Sequence, residues 1–189
     1  MAVDLPKVHD QALEHTYRYV EGVGSDQWDG ATPDDEWNVR QLVNHVVSGN
    51  FWVAPLVGGK TIADVGDKYD GDVLGDDPAA TYRQSAKEAS EAFNAQGAMQ
   101  APCAVSYGPV PGEIYAGHRF IDVLIHGWDL AKATGQDTAL PADLVEAAFE
   151  VVEPQKDLLA ASGMFGTDVP VPADADRQTQ LLAELGRTA

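Results

Sequence analysis

The chain has 189 residues, 44% of them hydrophobic, with 12 basic residues against 30 acidic ones and a formal net charge of −18. That is a globular composition, long enough for a single domain over 1–189 with a substantial core. So acidic a surface repels nucleic-acid phosphates and anionic membranes, which argues against both as partners.

The only cysteine is Cys103, so no intrachain disulfide can form, and a reducing cytoplasm is the expected location. No stretch approaches the roughly 20 apolar residues of a membrane span. The segment Met1 to Asp10 lacks the basic start and apolar run of a signal peptide.

Pro6 to Val23 reads as a first helix, with Val8, Ala12, Tyr19 and Val20 broadly at helical spacing and Gly22 and Gly24 as stop signals. A turn-rich stretch, Gly30 to Asp35, leads to a second helix over Trp37 to Val57. There Val39, Leu42, Val43, Val46 and Val47 recur in threes and fours. Gly58 to Pro78 reads as a long loop without a strand pattern, of the kind that often serves as a lid or rim.

Asp76-Asp77-Pro78 opens a third helix over Ala79 to Ala95, with proline and acids where the helix dipole favours them. Ala98 to Val110 reads as irregular, with Ala104 to Gly108 as a short extended piece. A fourth helix is expected over Glu113 to Thr134, closed by Gly135. A fifth runs from Ala142 to Ala161, with Pro154 forcing a kink or an early stop. A last short helix spans Asp176 to Leu185. Helices joined by long loops give an all-α bundle, a fold that commonly builds metal sites from facing helices.

The fourth helix carries the most informative stretch, His118-Arg119-Phe120-Ile121-Asp122-Val123-Leu124-Ile125-His126-Gly127-Trp128-Asp129. His118, Asp122 and His126 recur every four residues, and residues four apart on a helix lie about 6 Å apart on one face. Phe120, Ile121, Val123, Leu124 and Ile125 between them are apolar, so this polar stripe needs partners. A metal ion is one partner; a carboxylate–imidazole hydrogen bond is another. His118 and His126 are separated by about 12 Å of helical rise, too far to share an ion easily. The tight pair is therefore Asp122 with His126, and His45 on the second helix, flanked by valines, is the candidate third ligand.

Three protein donors describe a catalytic or substrate-binding site rather than a closed structural one. The mixed set suits a divalent metal: zinc first, with nickel, iron or manganese as alternatives. His118 is either an acid–base group near the mouth or a surface residue, with the surface slightly preferred. Arg119 is either a site for an anionic substrate group or a solvated cation. Asp129 is either a hydrogen-bond partner of an imidazole or one half of an ion pair. His9 and His15 are expected to face solvent. Cys103 has no basic neighbour in sequence and is expected to be inert.

Trp37-x2-Arg40-x-Leu42-x2-His45, followed by Asp122-x3-His126-Gly127-Trp128-Asp129-Leu130-Ala131-x-Ala133-x-Gly135, resembles the DinB-like metal-binding superfamily. The closer resemblance is to its branch typified by the N-terminal domain of mycothiol-dependent maleylpyruvate isomerase. The tail from Phe165-Gly166 to Gly186-Arg187 is similar to short single-domain members. The resemblance implies a four-helix bundle of DinB type, here with an additional C-terminal helix and long connecting loops. It also implies a divalent metal held by His45, Asp122 and His126.

The middle ligand of the isomerase is a glutamate, whereas Asp122 is one methylene shorter. The isomerase also has a C-terminal domain without a counterpart in this sequence, so maleylpyruvate isomerisation itself is not carried over. The expected activity is a metal-dependent transferase or isomerase reaction between a small-molecule thiol of mycothiol type and a small electrophile, with His118 or Arg119 positioning the substrate. A metal-dependent hydrolase using bound water and a non-catalytic metal-binding bundle are the alternatives. Related bundles often pair, so a homodimer is a further expectation.

Overall fold

The computed structural model describes residues 3–34, 36–155, 169–172 and 174–189. They divide into two compact units, one within Asp4–Thr138 and a smaller one built from Val3 and the described residues after Thr138.

The larger unit is a four-helix bundle of α1 (Leu5–Glu21), α2 (Val39–Val57), α4 (Pro78–Asn94) and α5 (Gly112–Thr134). α5 packs against both α1 and α2, and α4 closes the ring by packing against the same two helices. The helix starts follow from local chemistry. Asp4 caps α1 by accepting from Lys7 N, and Asp77 caps α4 by accepting from Ala80 N, with Pro78 next to it. Asn38 and Gln41 form a reciprocal capping box that fixes where α2 begins. Gly135 ends α5 with φ +71°, a left-handed conformation that favours glycine.

α5 is the central helix, buried on nearly every side from Tyr115 to Ala131. Its apolar residues Phe120, Ile121, Val123, Leu124 and Ile125 are at most 1% exposed. Each such Leu, Ile or Phe contributes roughly 1.5–3 kcal/mol through its removal from water. α1 approaches α5 closely at Gly127, where a Cβ would overlap Thr16 Oγ1. The Thr16 hydroxyl donates to the Val123 carbonyl at 3.0 Å across the same contact. A second core patch, around Val53, Leu56, Phe93, Cys103 and Tyr115, closes one end of the bundle.

Two connections differ from the sequence expectation. The long loop after α2 contains one helical turn, α3 (Ile62–Val65), started by a Thr61–Asp64 capping box. The segment expected to be irregular forms a 3-10 turn, Ala98–Gln100, and an antiparallel hairpin of β1 (Pro102–Val105) and β2 (Gly108–Pro111). Four-residue strands carrying prolines lack the alternating pattern by which a strand is read from sequence.

In the smaller unit, α6 (Ala142–Val152) runs into a 3-10 turn at Glu153–Gln155, which holds Pro154. Residues 156–161 of the expected fifth helix, and Phe165-Gly166 of the tail motif, lie outside the described residues. α7 (Arg177–Glu184) packs on α6. There Arg177 forks onto Glu146, with Nε–Oε1 at 3.0 Å and Nη2–Oε2 at 3.1 Å, and lies over the Phe149 ring. Among the described residues no helix is long and apolar enough to cross a membrane.

Candidate metal centre

The site forms where polar positions of α2 and α5 face each other. His45 Nε2 lies 3.1 Å from Asp122 Oδ1, and His126 Nε2 lies 3.6 Å from the same oxygen. The donor atoms of His45, Asp122 and His126 all fall within 4.8 Å of one another. Two imidazole nitrogens and a carboxylate oxygen from two helices thus converge on one point. This donor set fits a divalent ion with three protein ligands.

Each donor is held from behind. Burial alone would push the Asp122 carboxyl upward, but the Arg119 guanidinium, with His45 and His126 beside it, outweighs that and holds it well below the usual carboxylate range. Arg119 Nη1 donates to Asp122 Oδ2 at 2.7 Å. His126 Nδ1 lies 3.1 Å from Oδ2 of Asp129, a residue with no exposed surface. Trp37, one residue before the α2 cap, stacks on the His45 ring at 4.4 Å and meets the His126 ring edge-on at 5.5 Å. One indole therefore covers both imidazoles.

Beside His45 opens a cleft of about 600 Å³, lined on α2 by Arg40, Asn44 and Ser48 and on the far side by Tyr69 to Asp72. Its outer wall is the long loop, strapped to α2 by side chains four residues apart. Arg40 donates to Asp72 and to the Gly75 carbonyl, Asn44 donates to the Gly71 carbonyl and accepts from Val73 N, and Ser48 donates to the Tyr69 carbonyl. Tyr69 also stacks on Phe51.

His118 and Arg119 do not line this cleft. His118 is 8% exposed, so it is not the surface residue preferred from sequence. Its Nδ1 lies 2.6 Å from the Tyr107 hydroxyl, at the turn of the hairpin. Arg119 is also buried rather than solvated, and its guanidinium is committed to Asp122, Asn50 and the Val46 carbonyl.

The expectation that His9 faces solvent is overturned: it is fully buried, edge-on to Phe93 at 5.0 Å. His15 is half-buried and lies 2.9 Å from the Tyr19 hydroxyl. Cys103 is fully buried, and burial pushes its thiol up, away from the thiolate a nucleophile needs.

Sequence reasoning gave no role to Trp37, Asn50 or Tyr107, and none to the strap. The strap had a signal, since Arg40, Asn44 and Ser48 form a polar stripe at helical spacing along the second helix. Tyr107 and Asn50 had none, because their partners lie 11 and 69 residues away.

Comparison with known proteins bears on the fold and the family. A solved mycothiol-dependent maleylpyruvate isomerase superposes with a TM-score of 0.65 over 85% of this chain and 71% of its own, at 14% identity. A mutant of that isomerase gives 0.62 over 76% and 66%, at 15% identity. This chain thus spans about two thirds of the isomerase chains, and the likeness at that identity is one of fold.

Uncharacterized proteins from two strains of Mycobacterium tuberculosis are each 35% identical over 184 residues, covering 95% of this chain and 96% of theirs. Residues 9–131, which include the whole candidate site, match the family described as mycothiol maleylpyruvate isomerase N-terminal domain, and the chain belongs to that family.

Proposed function

We propose that this protein is a metal-dependent transferase or isomerase that joins a low-molecular-weight thiol of mycothiol type to a small electrophile. The observation that carries the reading is the convergence of His45, Asp122 and His126 from two helices, with their donor atoms within 4.8 Å. These residues would hold a divalent ion, with zinc the first expectation for two imidazoles and a carboxylate. When bound, such an ion supplies the positive charge that favours a thiolate over a thiol at neutral pH.

The chain's own residues supply the rest. Asp129 accepts from His126 Nδ1 and so leaves Nε2 turned toward the site. Trp37 shields the two imidazoles on one face and limits competing water. The cleft beside His45 is the place for the thiol's bulky remainder, bounded by the strapped loop. His118, one helical turn from Asp122 and 2.6 Å from the Tyr107 hydroxyl, would serve as the acid–base group toward the electrophile.

The test has two parts. Elemental analysis of protein never exposed to chelator should give close to one divalent ion per chain. Loss of the electrophile should then require thiol, cease on chelation and return when metal is restored. Turnover that proceeds equally well without thiol would overturn the transferase assignment.

A further inference from the structure

The geometry points to Arg119 as a positioning residue that divides the labour of the Asp122 carboxylate. It ties down Oδ2 so that Oδ1 alone is presented to the site. This inference rests on the metal reading above and adds to it a residue that does not touch the ion.

Arg119 lies on α5 three residues before Asp122. Its Nη1 donates to Oδ2 at 2.7 Å, while Oδ1 is the oxygen that lies 3.1 Å from His45 Nε2 and 3.6 Å from His126 Nε2. The two oxygens therefore face different partners. A carboxylate held this way offers one donor atom, and its rotation about the Cβ–Cγ bond is stopped by the guanidinium.

The guanidinium is itself seated by α2. Nη2 donates to Asn50 Oδ1 at 3.0 Å and to the Val46 carbonyl at 3.2 Å. Asn50 is fully buried and passes the chain of bonds on to Ser85 Oγ of α4 at 3.3 Å. The seat also needs a missing side chain: a Cβ on Gly49 would overlap the Arg119 guanidinium. One planar, always-charged group thus spans a carboxylate, an amide and a main-chain carbonyl, which the point charge of a lysine cannot do. In this arrangement α2 contributes to the site twice, directly through His45 and indirectly through the seat that orients Asp122.

The experiment measures cobalt(II) affinity, by competition with a chelator, and the visible d–d spectrum of the full chain. The proteins are wild type, Arg119→Lys and Gly49→Ala, each first shown to be folded by its circular-dichroism spectrum, with its melting temperature recorded. Wild type should bind one cobalt ion. Arg119→Lys keeps the charge but loses the fork, and should bind 10- to 100-fold more weakly with an altered d–d band, the range seen when partners of metal ligands are removed. Gly49→Ala removes no polar group and should weaken binding about tenfold by displacing the guanidinium from its seat.

A merely structural role for Arg119 would lower the melting temperature and leave the d–d band of the folded protein unchanged. Binding within twofold of wild type, with an unchanged band, in whichever variant folds overturns the inference while leaving the metal site standing. Failure of wild type itself to bind cobalt overturns the metal reading, and this inference falls with it.

Discussion

His126 Nδ1 and Asp129 Oδ2 lie 3.1 Å apart on successive turns of α5, and the Asp129 carboxylate has no contact with solvent. A buried carboxylate against one nitrogen of an imidazole fixes which nitrogen carries the proton. Replacing Asp129 with Asn or Ala should therefore weaken divalent-metal binding 10- to 100-fold while leaving all three proposed ligands in place. Chelator competition on folded protein measures this, and unchanged affinity in both variants would show that the tautomer is set elsewhere.

His118 and His126 belong to one stripe of α5 but are expected to respond differently to removal. His126→Ala should reduce metal content to background. His118→Ala should retain about one ion per chain and lose turnover by roughly 10²- to 10⁴-fold, the usual worth of a positioned acid–base group. Elemental analysis beside a thiol-dependent rate separates the two. A metal-free His118→Ala protein would place this histidine among the ligands instead.

Asn44 uses both ends of its amide to hold the long loop, through the Gly71 carbonyl and Val73 N. Asn44→Ala should loosen the outer wall of the cleft without touching a proposed ligand. KM for the thiol should rise several-fold, metal content should stay unchanged, and limited proteolysis should speed up between α3 and α4. An unchanged KM with faster proteolysis would separate this loop from thiol binding.

His9 provides a stability test independent of the site. Burial, aided by the charge of Arg119, pushes its pKa down from 6.5 to about 3, so the folded protein holds it neutral. For a histidine whose folded pKa is depressed, the unfolded chain takes up the proton first. Stability is complete above pH 6.5 and falls as the pH drops from there toward about 3. The slope from this residue approaches about 1.4 kcal/mol per pH unit in that window. His9→Gln or His9→Leu should flatten the urea-denaturation profile between pH 6 and about 4 relative to wild type. An identical pH profile would mean that His9 gains a proton-accepting partner as the pH falls.

Gly127 is the point where α1 lies against α5. Gly127→Ala places a methyl group onto Thr16 Oγ1 and should cost about 1–3 kcal/mol, as overpacking of a tight core does. Chemical denaturation measures it. Since His126 is the adjacent residue, a shift of α5 should also show as reduced metal affinity.

Much of the bundle was legible from periodicity and punctuation. The helix expected over Trp37 to Val57 starts two residues later because the Asn38–Gln41 capping box decides it. The helix expected from Glu113 ends at Thr134 as read, because Gly135 turns left-handed. What escaped was short or long-range. The proline-bearing hairpin has no strand pattern, and the burial of His9 depends on which face of α1 meets Phe93 of α4.

The sequence alone determined that Asp122 and His126 share one helical face and that His118 lies about 12 Å of rise from His126, since both follow from 1.5 Å per residue. Only the tertiary structure brought His45 across from α2, turned Arg119 inward onto Asp122, and placed Trp37 over both imidazoles. Those relations join residues far apart along the chain, and their geometry depends on how two helices pack. A spacing within one helix carries no information about that packing.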